Sequence, residues 1–140
     1  MNHPMDDTTR LLRNHDIQPT PQRLAVAMFV LRADDHPTAE EVWARVRADC
    51  RSISRATVYN TLNLLVDKGL LRQQRLKGGT SVYDRNVESH HHFIDDETGD
   101  IYDIPWDAFK VIPGSPLRDF AVRDYQVVIH GYRKKVSDPE

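Results

Sequence analysis

Cysteine is almost missing from this chain. Cys50 is the only one among 140 residues. An intramolecular disulfide is therefore impossible, and so is any all-cysteine zinc site within one chain. Long apolar runs are missing as well. None approaches the roughly 18 residues needed to span a bilayer, so no membrane partner is expected. The stretch "MNHPMDDTTRLLRNHD" has no apolar segment of the kind a secretory signal carries. Cytoplasmic residence is the expectation. Internal repeats and low-complexity tracts are also lacking. What is present is a globular mixture, 39% apolar and 29% charged, with length for one ordinary domain or two small ones.

The net charge of −2 hides an asymmetry. Residues 1–85 carry 13 Lys+Arg against 10 Asp+Glu, whereas residues 86–140 carry 6 against 11. Between residues 51 and 77 there are six basic side chains and one acid, Asp67. Such a stretch suits a polyanion-binding element, although charge alone favours a solvated face.

The first half reads as helices with start signals. Residues 6–15 form a weak helix with Leu11 and Leu12 as apolar contacts. In "QPTPQRLAVAMFVLRA" Thr20 is an N-cap and Pro21 the first helical residue, with Leu24, Ala27, Met28 and Leu31 at helical spacing. "HPTAEEVWARVRADC" has a capping box, Thr38 with Glu41, and an apolar stripe of Val42 and Val46. "SISRATVYNTLNLLVDKG" has Ser54 as N-cap, Gly69 as stop, and Val58, Leu62, Leu65 and Val66 on one face. Two strand-like runs then flank Gly78-Gly79, a hairpin signal. Helices followed by a hairpin give the order of a winged helix, whose last helix enters the DNA major groove.

On that helix Ala56, Asn60 and Asn63 fall opposite the apolar face, with Thr57 and Tyr59 flanking. Asn pairs bidentately with adenine, while Ala and aromatic rings pack on thymine methyls. Arg55 in the first turn and Arg72, Arg75 and Lys77 on the wing are expected phosphate contacts. Arg23, early in the helix that begins at Pro21, belongs to the same expected DNA-binding set.

The second half changes period. "SHHHFID" and "GDIYDIP" read as strands around a turn at Glu97–Gly99, "PWDAFKVI" as a short helix, and "DFAVRDYQVVIHGYRK" as one long alternating strand. This α+β unit is too thin to bury both faces alone, and a symmetric dimer would cover it. The hinge is expected near residues 84–89.

In a strand His90 and His92 point one way and His91 the other. Asp103 on the neighbouring strand adds a carboxylate. Asp84 ends the wing, and His36 precedes the third helix. Mixed nitrogen and oxygen donors suit Fe(II), Mn(II) or Zn(II). A solvent-exposed histidine run remains the alternative. His3, His15 and His130 read as ordinary surface or structural residues, and Asp95–Glu97 as a solvated turn.

The chain resembles the ferric uptake regulator superfamily of bacterial metal-dependent repressors. "TPQRLAV", "HPTAEEVW", "SRATVYNTLNLL", "GLL", "VYD" and "HHHFI…GDIYDI" follow the family's order over residues 8–135. The peroxide-stress and iron response branches are the most similar. The resemblance implies an α+β protein: a winged-helix DNA-binding domain over 1–85, then a small α/β dimerisation and metal-sensing domain over 86–140. It implies an Fe(II) or Mn(II) site from His36, Asp84, His90, His92 and Asp103, with Zn(II) binding in vitro. It implies a homodimer on an AT-rich palindromic operator. Many members also hold structural zinc through two C-x-x-C pairs. Asp95 and Thr98 occupy the first pair here, so that zinc is expected to be absent. Tyr125 aligns with a histidine of a second regulatory site, leaving that site incomplete.

The expected function is a metal-responsive repressor of iron homeostasis or peroxide stress, not an enzyme. If the ion is Fe(II), peroxide oxidation of His36 or a neighbouring histidine would release the DNA. A haem-responsive regulator, with haem at His90, His91 and His92, is the rival within the family. A small metal-dependent hydrolase is the rival outside it, and it leaves the basic wing without a role.

Overall fold

Each helix begins at a side chain that accepts a hydrogen bond from the first turn. His3 Nδ1 accepts from the Met5 N–H at 3.1 Å, Thr20 Oγ1 from Arg23 at 3.3 Å, Thr38 Oγ1 from Glu41 at 3.2 Å and Ser54 Oγ from Thr57 at 3.0 Å. These bonds satisfy donors that a helix start otherwise leaves open. The structure, a computed structural model, describes residues 3–135, apart from the side chain of Lys77. The helices are α1 (Pro4–Asn14), α2 (Pro21–Val30), α3 (Ala39–Val46) and α4 (Arg55–Asp67). The strands are β1 (Arg72–Lys77), β2 (Thr80–Asp84), β3 (His91–Asp95), β4 (Ile101–Ile104) and β5 (Val128–Gly131). The chain divides between Val87 and Glu88 into two units.

In the first unit α1 starts two residues earlier than the apolar pattern suggests, because His3 caps it. The core gathers Leu12, Val26, Val30, Val42, Val58, Leu62 and Leu65, each at most 1% exposed. Two corrections concern which face is buried. On α2 the buried residues are Val26, Ala27 and Val30. The expected Leu24, Met28 and Leu31 are only half-buried. The helix is apolar on two faces, so periodicity alone does not choose between them. On α4 Thr61 replaces Val66 in the buried set, its hydroxyl donating to the Thr57 carbonyl at 2.7 Å. The helix ends as expected at Gly69, φ +79°. There the N–H groups of Gly69 and Leu70 return to the carbonyls of Val66 and Leu65.

β1 and β2 form the antiparallel wing. Gly78 and Gly79 take φ +58° and +89°, the two positive values a tight hairpin turn requires. Gln74 and Leu76 turn inward and Arg75 outward. Arg72, expected to contact phosphate beside Arg75, shares the inner face and is half-buried. Strand alternation separates the two, since three residues apart means opposite sides.

In the second unit the sheet order is β4-β3-β5. β3 pairs antiparallel with β4, placing His92 opposite Asp103, and parallel with β5. The long strand expected over 119–134 is reduced to Val128–Gly131, and the expected helix after Pro105 to a single 3₁₀ turn, Trp106–Ala108. Neither alternation nor β-propensity makes a strand without a partner for its backbone, and only residues 127–131 bond to the β3 segment.

The turn between β3 and β4 is not merely solvated. Asp95 is 4% exposed. Its Oδ1 accepts from the N–H groups of Glu97 at 2.8 Å and Thr98 at 3.1 Å, and Oδ2 from that of Arg133 at 3.3 Å. Burial pushes this carboxyl group up, but the bonds from Thr98, Glu97 and Arg133 outweigh it and hold it below the usual 3.8. The folded carboxylate therefore stabilises the unit fully above pH 3.8. That contribution fades as pH falls through the lower folded value. Asp95→Asn should lower stability at pH 7, and the gap to wild type should close in acid. Denaturant unfolding at pH 7 and pH 3 measures it; an equal gap at both would refute the carboxylate's role.

Candidate functional site

His36 sits at φ +53°, in a segment held against the wing. Thr38 bridges Val82, and the Tyr83 N–H donates to the Pro37 carbonyl at 2.8 Å. Arg85 pairs with Asp34 on the two flanks. The result is a buried couple. His36 Nε2 lies 3.2 Å from Asp84 Oδ2, and each residue is 4% exposed. Asp84 Oδ1 accepts from the Asn86 N–H at 2.9 Å.

The second unit carries its own donor set. His90 Nε2 and His92 Nε2 stand 3.4 and 3.6 Å from the same oxygen, Asp103 Oδ1. The two imidazole rings meet edge to face at 4.5 Å. Each ring is fixed from behind: His90 Nδ1 contacts the Glu88 carbonyl at 2.5 Å, and His92 Nδ1 contacts Gln126 Oε1 at 3.0 Å. A carbonyl oxygen only accepts, so in the neutral ring Nδ1 carries the proton and Nε2 presents its lone pair. Two lone pairs aimed at one carboxylate oxygen repel unless a cation or a ring proton lies among them. That arrangement fits a divalent ion, with the other ring nitrogen held by an orienting partner as metal-ligating histidines require.

His91 is different. It is fully buried, its ring stacked on Trp106 at 4.6 Å. Nδ1 accepts from the Val127 N–H at 2.9 Å, and Nε2 faces the Trp106 carbonyl at 3.2 Å. With both nitrogens engaged and no exposed edge, His91 offers nothing to a haem iron. Tyr125 packs against Trp106 at 4.6 Å.

On α4, Arg55, Ala56, Tyr59, Asn60 and Asn63 are exposed, as is Arg75 on β1. Thr57 is half-buried and joined to the Ser54 cap at 2.9 Å through its hydroxyl, so it has less to offer a base. Arg23 is half-buried, with its guanidinium on the Gln18 carbonyl at 3.2 Å. Arg55 pairs with Glu40 at 3.0 Å. Lys77 ends β1, and its side chain lies outside those described.

The sequence profile of the ferric uptake regulator family matches residues 14–130. This chain belongs to the ferric uptake regulator family. The peroxide-responsive repressor PerR of Staphylococcus saprophyticus is 30% identical over 97% of this chain and 93% of its own length. Among solved structures, a zinc-bound manganese uptake regulator superposes with TM-score 0.67 at 24% identity, over 91% of this chain and 98% of that one. The Campylobacter jejuni peroxide stress regulator gives 0.61 at 26%, over 91% and 96%. As a member of this family, in the branch that includes PerR, the chain is a metal-responsive transcriptional regulator; the family's members are regulators rather than enzymes. No described helix is long and apolar enough to cross a membrane.

Two residues of this chain escape any reading of local sequence. Gln126 orients His92 from 34 positions away, and Arg85 meets Asp34 from 51. Neither leaves a spacing signal near its partner.

Proposed function

We propose that this regulator binds an AT-rich palindromic operator as a homodimer, under the control of one Fe(II) or Mn(II) ion. The convergence of His90 and His92 on Asp103, with both rings oriented from behind, carries the reading. His36 and Asp84 complete the ligand set. Zn(II) suits the same donors in vitro. A bound ion supplies positive charge that relieves repulsion among the carboxylates and imidazole lone pairs.

The chain's own residues do the rest. Tyr59, Asn60, Asn63 and Ala56 face the bases from α4, and Arg55, Arg75, Lys77 and Arg23 serve the backbone. Ile112 and Phe120, 77% and 67% exposed, supply apolar surface for a second copy. On this reading the ion binds the DNA-competent form better than the other form. Without that difference in affinity no switch results.

Fluorescence anisotropy with a labelled AT-rich palindromic duplex tests this, using chelator-stripped protein reloaded with Mn(II), Fe(II) under anaerobic conditions, Zn(II) or haem. Mn(II) or Fe(II) should tighten binding about 5–150-fold. Equal affinity with and without either metal would reject the proposal.

A further inference from the structure

Residues 43–55 hold four arginines and one acid, Asp49, and they lead directly into α4. Trp43 organises two of them. Its indole N–H donates to the Ile53 carbonyl at 3.1 Å, which fixes the ring. The Arg55 guanidinium lies 4.1 Å from the ring centre and that of Arg47 lies 4.6 Å from it. Arg51 lines the same cleft as Trp43 and Arg47. Arg55 is offset by Glu40 at 3.0 Å, and Arg45 by Asp35 at 3.7 Å. Among the described residues no acid pairs with Arg47 or Arg51, and both are exposed.

An indole attracts each guanidinium through its ring face, yet two guanidiniums on one indole repel each other. The adjoining N-terminus of α4 adds further positive potential. The patch is thus undercompensated, and it suits an anion with regularly spaced charges.

We propose that Arg47, braced with Arg55 on Trp43, and Arg51 in the same cleft form a second phosphate-binding patch that grips the DNA backbone beside the groove α4 enters. The inference rests on α4 as the reading helix and adds two contacts outside the expected set. Contacts of this kind carry no sequence information and fix the register of the helix on the duplex.

The test is the salt dependence of DNA binding by the full-length, Mn(II)-loaded protein. One AT-rich palindromic duplex and one scrambled duplex of equal length serve as probes. Arg47→Ala/Arg51→Ala should weaken binding to both and flatten the log affinity against log salt slope by roughly 2. Arg47→Lys/Arg51→Lys should keep most of the slope, because point charges still meet phosphates. Lys68→Ala, at the far end of α4, should leave it unchanged. Circular dichroism confirms that each variant is folded. A steep wild-type slope that the double alanine variant leaves unaltered would overturn the patch while sparing the reading helix. A wild-type slope near zero would overturn both.

Discussion

His92→Ala should abolish metal-dependent DNA binding while leaving the winged helix folded. Losing an orienting partner of a metal ligand typically costs about 10–100-fold in affinity, and losing the ligand itself should cost more. Gln126→Leu provides the graded comparison. It removes the acceptor that holds His92 Nδ1 at 3.0 Å and should fall within that 10–100-fold range. Isothermal titration with Mn(II) measures both, and anisotropy with the operator duplex reports the consequence. If His92→Ala bound Mn(II) as wild type does, the donor set centred on Asp103 would not be the sensing site. His91→Gln separates the neighbours. Its ring nitrogens serve Val127 and Trp106, so it should lower stability far more than metal affinity.

Leu62→Ala should produce the largest loss of stability in the first unit. Leu62 is fully buried on the face of α4 opposite Asn60. Truncating a buried leucine removes transfer energy and leaves a cavity, at a cost of about 2–5 kcal/mol. Denaturant unfolding followed by circular dichroism would show it. DNA binding should fall with it, because the face proposed to read bases is the back of the face that packs. Asn63→Ala, on the exposed side, should stay within about 0.5 kcal/mol of wild type in stability. A Leu62→Ala variant as stable as Asn63→Ala would contradict the orientation of α4.

What the sequence revealed was mostly local chemistry. Thr20, Thr38 and Ser54 announce helix starts because a cap and its N–H lie within three residues. Gly78-Gly79 announces the wing because few other residues accept positive φ at both positions. The opposition of Leu62 and Asn60 follows from 100° per residue. Legibility ended where a partner decides the outcome. Alternation over 119–129 looked like a strand, yet β3 has two edges and β4 takes one, so only Val128–Gly131 is paired. The histidine triplet was divided correctly by alternation into His90 and His92 against His91. What encloses His91, a tryptophan ring and two backbone groups, comes from chain 15 to 36 residues away. Gln126, Arg85 and the stacking on Trp43 are likewise products of folding rather than of spacing.

The Asp95 turn has a consequence for the conditions under which such a regulator works. Thiolates that clasp a metal are early casualties of peroxide, climbing from sulfenic to sulfonic acid. Here the tie between the β3–β4 turn and the chain beyond β5 is a carboxylate holding three peptide N–H groups. It contains nothing that an oxidant can consume or a chelator extract. The turn is thus held by a group that peroxide leaves intact, and only acid loosens it.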